Sequence, residues 1–217
     1  MRVRHWLIAM AVLPVGGIGG AFAGAILSPT AVVGDTLGTG AGKVGHLIDQ
    51  SGLSAPFISG ATDFDTYVAT NPTHAGLTGA NGWASANNDT SGYLEFDLGS
   101  VYAITAFAMW TQNNPSAIDS FSLSTAMDSA FTTGVANLGS FTGTKTLTVQ
   151  TFDVSAVGEF VRLQVNSTFG GTNVDIGEVA FDVATVPEPA TFAIVGMGLA
   201  AIAALRRPRA LRPGSPP

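Results

Sequence analysis

Asp63 and Asp65 flank Phe64 in the segment Thr62-Asp63-Phe64-Asp65-Thr66. In a loop, carboxylates at i and i+2 can reach one hard cation together with backbone carbonyls, so the pair is a candidate calcium site. No glycine or distal glutamate follows in register, so the EF-hand pattern is not met, and a solvated acidic turn is the competing reading. Asp49, Asp89 and Glu178 are further acids that such an ion could recruit. A second set of residues suits sugars. Trp83 lies near Asn81, Asn87 and Asn88. A flat indole offers an apolar face to pyranose C–H groups, and amides serve the hydroxyls. Tyr67 with Asn71 and His74 makes a similar loop grouping. Both tryptophans of the central region also read as core, and Trp110 ends an apolar run.

Catalytic patterns are missing. His46 and His74 are the histidines beyond the leader, so a Ser-His-Asp site is not excluded by counting. Yet neither G-x-S-x-G nor H-E-x-x-H occurs, and the fifteen acids single out no pair for glycoside cleavage. The chain has no cysteine, which excludes disulfides, thiolate catalysis and cysteine-ligated zinc. Gly40-Ala41-Gly42-Lys43-Val44-Gly45 matches G-x-G-x-x-G, but Gly52 and Pro56 interrupt the helix that a dinucleotide loop requires. No enzyme is expected.

The elements that would carry these residues are short strands. Leu94, Phe96 and Leu98 alternate with Glu95 and Asp97. Phe121 and Leu123 alternate with serines, and Leu147 and Val149 with threonines. Val161, Leu163 and Val165 alternate with polar residues, as do Val179, Phe181 and Val183. Val101 to Gln112 is a longer apolar run. Six or more such strands, with no clear amphipathic helix, predict an all-β fold, an antiparallel jelly-roll-type sandwich over residues 46–185. Residues 24–45, rich in Gly, Ala and Thr, read as a flexible lead-in.

Both ends of the chain read as targeting or membrane segments and stand outside the fold. Residues 1–23 combine a basic start, the apolar Leu7 to Val15, and Ala21-Phe22-Ala23, the pattern of a cleaved signal peptide. Residues 186–212 run from Pro187-Glu188-Pro189 through the apolar Ala190 to Leu205 and into Arg206, Arg207, Arg209 and Arg212. This predicts a short transmembrane helix with a cytoplasmic C-terminus, and 213–217 reads as a disordered tail. Between these ends, from Gly24 to Pro189, fifteen acids face three bases, a net of −12. Such a surface repels phosphate backbones and argues against nucleic acid.

The C-terminal layout resembles the PEP-CTERM sorting signal of bacterial envelope proteins. That resemblance implies an exosortase and the export machinery as partners, with Pro187, Glu188 and Pro189 as the sorting motif. The block Tyr93-Leu94-Glu95-Phe96-Asp97-Leu98-Gly99 with Val101-Tyr102-Ala103-Ile104 resembles the hallmark strand of discoidin-like, galactose-binding-like (F5/8 type C-like) domains. Leu47-Ile48-Asp49, Trp83-Ala84-Ser85, Phe160-Val161-Arg162-Leu163 and Ile176-Gly177-Glu178-Val179 follow in the family's order. The resemblance implies glycan binding by a galactose-binding-like sandwich, often with a structural Ca2+ in an early loop. It also offers Trp83 as a structural tryptophan. The expected protein is an exported envelope or matrix protein that binds exopolysaccharide or other glycans. A passive biofilm coat protein and an exported hydrolase are the alternatives.

Overall fold

The computed structural model describes residues 24–186. The signal peptide, the motif Pro187-Glu188-Pro189, the apolar run, the basic cluster and 213–217 lie outside the described residues. Nine strands are present among the described residues: β1 (Ala25–Leu27), β2 (Ala31–Asp35), β3 (Ala41–Gly42), β4 (Trp83–Ala84), β5 (Gly92–Thr111), β6 (Ile118–Ala126), β7 (Ala136–Thr142), β8 (Gln150–Thr168) and β9 (Asp175–Thr185). One helix, α1, spans Phe64–Ala69, and a 3-10 turn spans Val44–Leu47. Every strand pair is antiparallel, in the order β3-β4-β9-β5-β8-β6-β7, with β1 beside β9 and β2 beside β5.

Two long strands make the sandwich. The first half of β5 pairs with β2 and with the second half of β8. Its second half pairs with the first half of β8 and with β9. The register breaks between Asp97 and Tyr102, and there both strands pass from one layer to the other. Gly99 makes this corner possible. Its φ is +83°, and its N–H donates to Asp97 Oδ1 at 2.7 Å. A side chain at Gly99 would meet Thr30 Cγ2 at 2.8 Å, so both conformation and space call for glycine.

The interior is the alternating face read from the sequence. Leu94, Phe96, Leu98, Phe121, Leu123, Val161, Leu163, Val165, Val179, Phe181 and Val183 are all buried. Phe107 stacks among Phe121, Phe152 and Phe181 at centroid distances of 5.3–6.1 Å. The continuous apolar run of β5 has its own cause. Phe107 and Met109 face the main core, while Ala106, Ala108 and Trp110 face a second cluster with Ile26, Phe57, Phe64 and Tyr67. The segment between Asp49 and Trp83 therefore caps the outer face of the second layer, and β5 is covered on both sides there.

Three expectations need correction. Residues 24–45 are not a loose lead-in. β1 pairs with β9 and β2 with β5, burying Ile26, Leu27 and Leu37. Strands of three and five residues, the second holding Gly34, are too short to leave a readable period. Leu147 and Val149 lie outside any named strand, in a loop held by Val149 N–H donating to Pro72 O at 3.0 Å. Asp63 to Ala69 is a helix start rather than a turn. Glu95 is buried although it faces outward, because Arg162 pairs with it and the guanidinium lies 4.5 Å from the Tyr93 ring centre and 4.1 Å from that of Phe131. Two aromatic rings flank the guanidinium and shield the carboxylate side of that ion pair from solvent.

Candidate functional site

The strands place loops 85–91, 112–117, 143–149 and 169–174 at one end of the sandwich and the chain exit, after Thr185, at the other. Loops 85–91, 112–117 and 169–174 are stitched together at the loop end. Asp175, at the start of β9, accepts from Asn114 Nδ2 at 2.9 Å and from Asn173 Nδ2. Ser116 Oγ donates to Asn173 Oδ1 at 3.0 Å, and Ser116 N–H to Asn114 Oδ1 at 2.8 Å. Backbone bonds join the same loops: Gly171 N–H to Pro115 O at 2.9 Å, and Asn88 N–H to Thr172 O at 2.6 Å. Asp175 is 7% exposed, and two amide donors offset its desolvation.

Beside this network lies Phe169, half-buried, with Lys145 Nζ 5.5 Å from its ring centre. Lys145, Asn87, Asn88 and Asn113 are exposed. A flat apolar ring, an ammonium and several amides on a pre-bonded scaffold can stack a sugar ring and serve its hydroxyls. Asn87 and Asn88, proposed from sequence, belong to this end. Phe169, Lys145, Asn113, Asn114 and Asn173 were missed. The turn signals Asn113-Asn114-Pro115 and Phe169-Gly170-Gly171 marked the loops, but nothing in them revealed that the two loops meet.

The other proposed sugar residues are built into the fold. Trp83 is 0% exposed, and its Nε1–H donates to Thr39 Oγ1 at 3.0 Å. It is the structural tryptophan and has no free face to stack on a ligand. Tyr67 is buried against Phe57 and Trp110, and its hydroxyl donates to Ala55 O at 2.7 Å. Burial, with Glu178 nearby, pushes its phenol up to about 12. His74 is 1% exposed, with its ring nitrogens 2.6 Å from Ala75 O and 2.8 Å from Ser51 O. Its ring lies against Gly177, where a Cβ would come within 2.5 Å of it. His74 thus clasps two loops onto β9.

Asp63 has a local task. Its Oδ1 accepts Thr66 N–H at 2.8 Å, and it is the N-cap of α1. Hydrogen bonds from Thr66 hold its carboxyl below the usual range. The spacing of Phe64 and Tyr67, i and i+3, was the legible sign of that helix. Asp65 is exposed. No group of three His, Asp or Glu converges on a common point among the described residues.

Ser51, His46 and Asp49 do meet in space. Asp49 Oδ2 lies 2.8 Å and Ser51 Oγ 3.1 Å from His46, but both contact the same nitrogen, Nδ1. A relay needs the acid on one ring nitrogen and the hydroxyl on the other, so this trio cannot pass a proton from serine to aspartate. Glu178 is fully buried. Its Oε2 accepts Gln50 N–H at 2.7 Å, and its Oε1 has no partner. Burial drives its carboxyl up to about 9; the Gln50 bond opposes this and Asp49 adds to it. At neutral pH it is an uncharged acid that holds the left-handed Gln50, φ +62°, in place.

Residues 59–179, more than half of the chain, match the F5/8 type C domain, and the chain belongs to that family. Residues 185–207 match the PEP-CTERM protein-sorting motif. Among solved structures, the fold is similar to the C-terminal domain of a chitobiase from Bacteroides fragilis, at 18% identity, 74% of this chain, 99% of that chain and TM-score 0.50. It is also similar to CBM32-1 from a family 31 glycoside hydrolase of Clostridium perfringens, at 8% identity, 71% of this chain, 96% of that chain and TM-score 0.50. No curated protein matches the sequence.

Proposed function

We infer that the protein is a non-enzymatic glycan-binding module exported to the cell envelope or beyond. The observation that carries this is Phe169 with Lys145 beside the Asn114–Asp175–Asn173 network, at the end of a fold shared with carbohydrate-binding modules. Exopolysaccharide or other matrix glycan is the ligand class. The PEP-CTERM motif supports the route. The signal peptide starts export, the apolar run Ala190 to Leu205 holds the chain in the inner membrane with its arginines cytoplasmic, and an exosortase processes it at Pro187-Glu188-Pro189.

A glycan array on the Gly24–Val186 domain tests the binding reading. Wild type is expected to retain one or a few glycans. Phe169→Ala is expected to abolish that binding and Lys145→Ala to weaken it, with melting temperature unchanged. An array without a hit, or a hit indifferent to Phe169→Ala, removes the loop end as the ligand site.

A further inference from the structure

The exit end of the sandwich carries an apolar surface that the described residues leave bare. Seven large apolar side chains are exposed among the described residues, and five of them, Val101, Met127, Val135, Val157 and Val186, lie at this end. Strand register puts two of the five on one face. Val157 pairs with Ala103, and Ala103 with Ala184. Two residues further along β5, Val101 points to the same outward side, and Val186 stands one residue beyond the end of β9. Val101 is 39% and Val157 41% exposed. Toward the loop end this face turns polar at Thr105, whose hydroxyl donates to the Asp182 carboxylate. Beyond that, Ala106, Ala108 and Trp110 are covered by the second apolar cluster. The bare strip is thus the part of the face nearest the chain exit.

The sequence just past the exit identifies the occupant. Four residue steps separate Val186 from Ala190, where the apolar run begins. Fully extended, they span at most about 14 Å. We propose that, while the tail is in the membrane, the sandwich rests on the lipid surface by its exit end, with Val101, Val157 and Val186 in the interfacial layer. The proposal depends on the membrane-anchored reading of the tail given above. So short a tether keeps the strip permanently within reach of the bilayer, and a second contact made from a tethered state needs little intrinsic affinity. Apolar side chains gain by entering the interface. Charge selects the kind of lipid. Of the three bases among the described residues, Lys145 is at the loop end, Arg162 is paired with Glu95, and Lys43 adjoins β3. Asp128, Glu159 and Asp182 lie toward the exit end, so the contact is apolar, made with neutral headgroups, and insensitive to salt.

The chain has no cysteine, so single substitutions label cleanly. Val101→Cys, Val157→Cys and, as reference, Asn87→Cys would carry a polarity-sensitive fluorophore in the full-length chain with phosphatidylcholine vesicles. Flotation first tests the anchor, and a chain that does not float overturns that reading and the proposal with it. On floated protein, the labels at 101 and 157 are expected to shift to the blue. They should also lose several-fold in accessibility to an aqueous quencher, in low and high salt alike, while the label at 87 keeps its water value. Labels at 101 and 157 that keep their water values on floated protein overturn the proposal and leave the anchor standing. Protection that rises with protein concentration, or that needs an exosortase, assigns the strip to a protein partner and overturns it too.

Discussion

Glu178 is the single residue whose chemistry departs furthest from its sequence reading. Among fifteen acids it was one that a calcium ion at Asp63 and Asp65 could recruit. Its neighbours decide otherwise: Gln50 N–H reaches one oxygen, and the other has no partner. The folded-state value, about 9, lies above the ordinary 4.5. The native protein therefore keeps a proton that the unfolded chain releases, and stability falls as pH rises from about 4.5 toward 9. One proton contributes at most about 1.4 kcal/mol per pH unit to that slope. Glu178→Gln keeps the shape and the acceptor for Gln50 while removing the titration. It is expected to flatten the decline and to be more stable than wild type at pH 8. Denaturation midpoints of both proteins from pH 5 to pH 9 give the answer, and parallel curves would mean that Glu178 is charged in the native state.

Among the elements, β1 and β2 matter most relative to how little of them could be read. The alternating strands were legible because Leu94 to Leu98, Val161 to Val165 and Val179 to Val183 each bury one face, and a period of two survives in the sequence. β1 is three residues long and β2 holds a glycine at its register shift, so neither leaves a period. Deleting residues 24–35 removes Ile26 from the second cluster and Leu27 from the main one. A single Ile or Leu lost from a core costs about 2–5 kcal/mol, against about 5–15 kcal/mol for a whole domain. The 36–186 fragment is expected to lose its cooperative thermal transition, as followed by circular dichroism; a fragment melting at the wild-type temperature would make both strands dispensable. The loop site was legible only in part. Asn87 and Asn88 carried amide chemistry in plain view, whereas Phe169 and Lys145 meet through contacts between residues far apart in sequence. Trp83 was misleading as a ligand because an aromatic ring suits a core and a sugar equally well, and only burial separates the two.

At the scale of the whole molecule, the proposed glycan site and the chain exit that leads to the sorting motif lie at opposite ends. The sorting end is tested in the native host, where Pro187→Ala with Glu188→Ala is expected to leave the protein membrane-bound at its unprocessed mass. Maturation of the double variant to wild-type mass would dissociate the motif from processing. The two ends are joined by one strand. β9 starts at Asp175, in the loop network, and ends at Thr185, beside the exit. Its eleven residues reach about 35 Å, and it lies between β5 on one side and β1 and β4 on the other. A cell held to a polysaccharide by this protein would pull along that strand, across hydrogen bonds that stand perpendicular to it. Many bonds would then share the load and yield together in shear, instead of opening one by one. Single-molecule extension between residue 113 and residue 186, which loads β5 against β9 lengthwise, is expected to need a higher rupture force than extension between residue 24 and residue 186, which peels the short β1 first. Equal forces in the two geometries would show that β9 does not carry the tension.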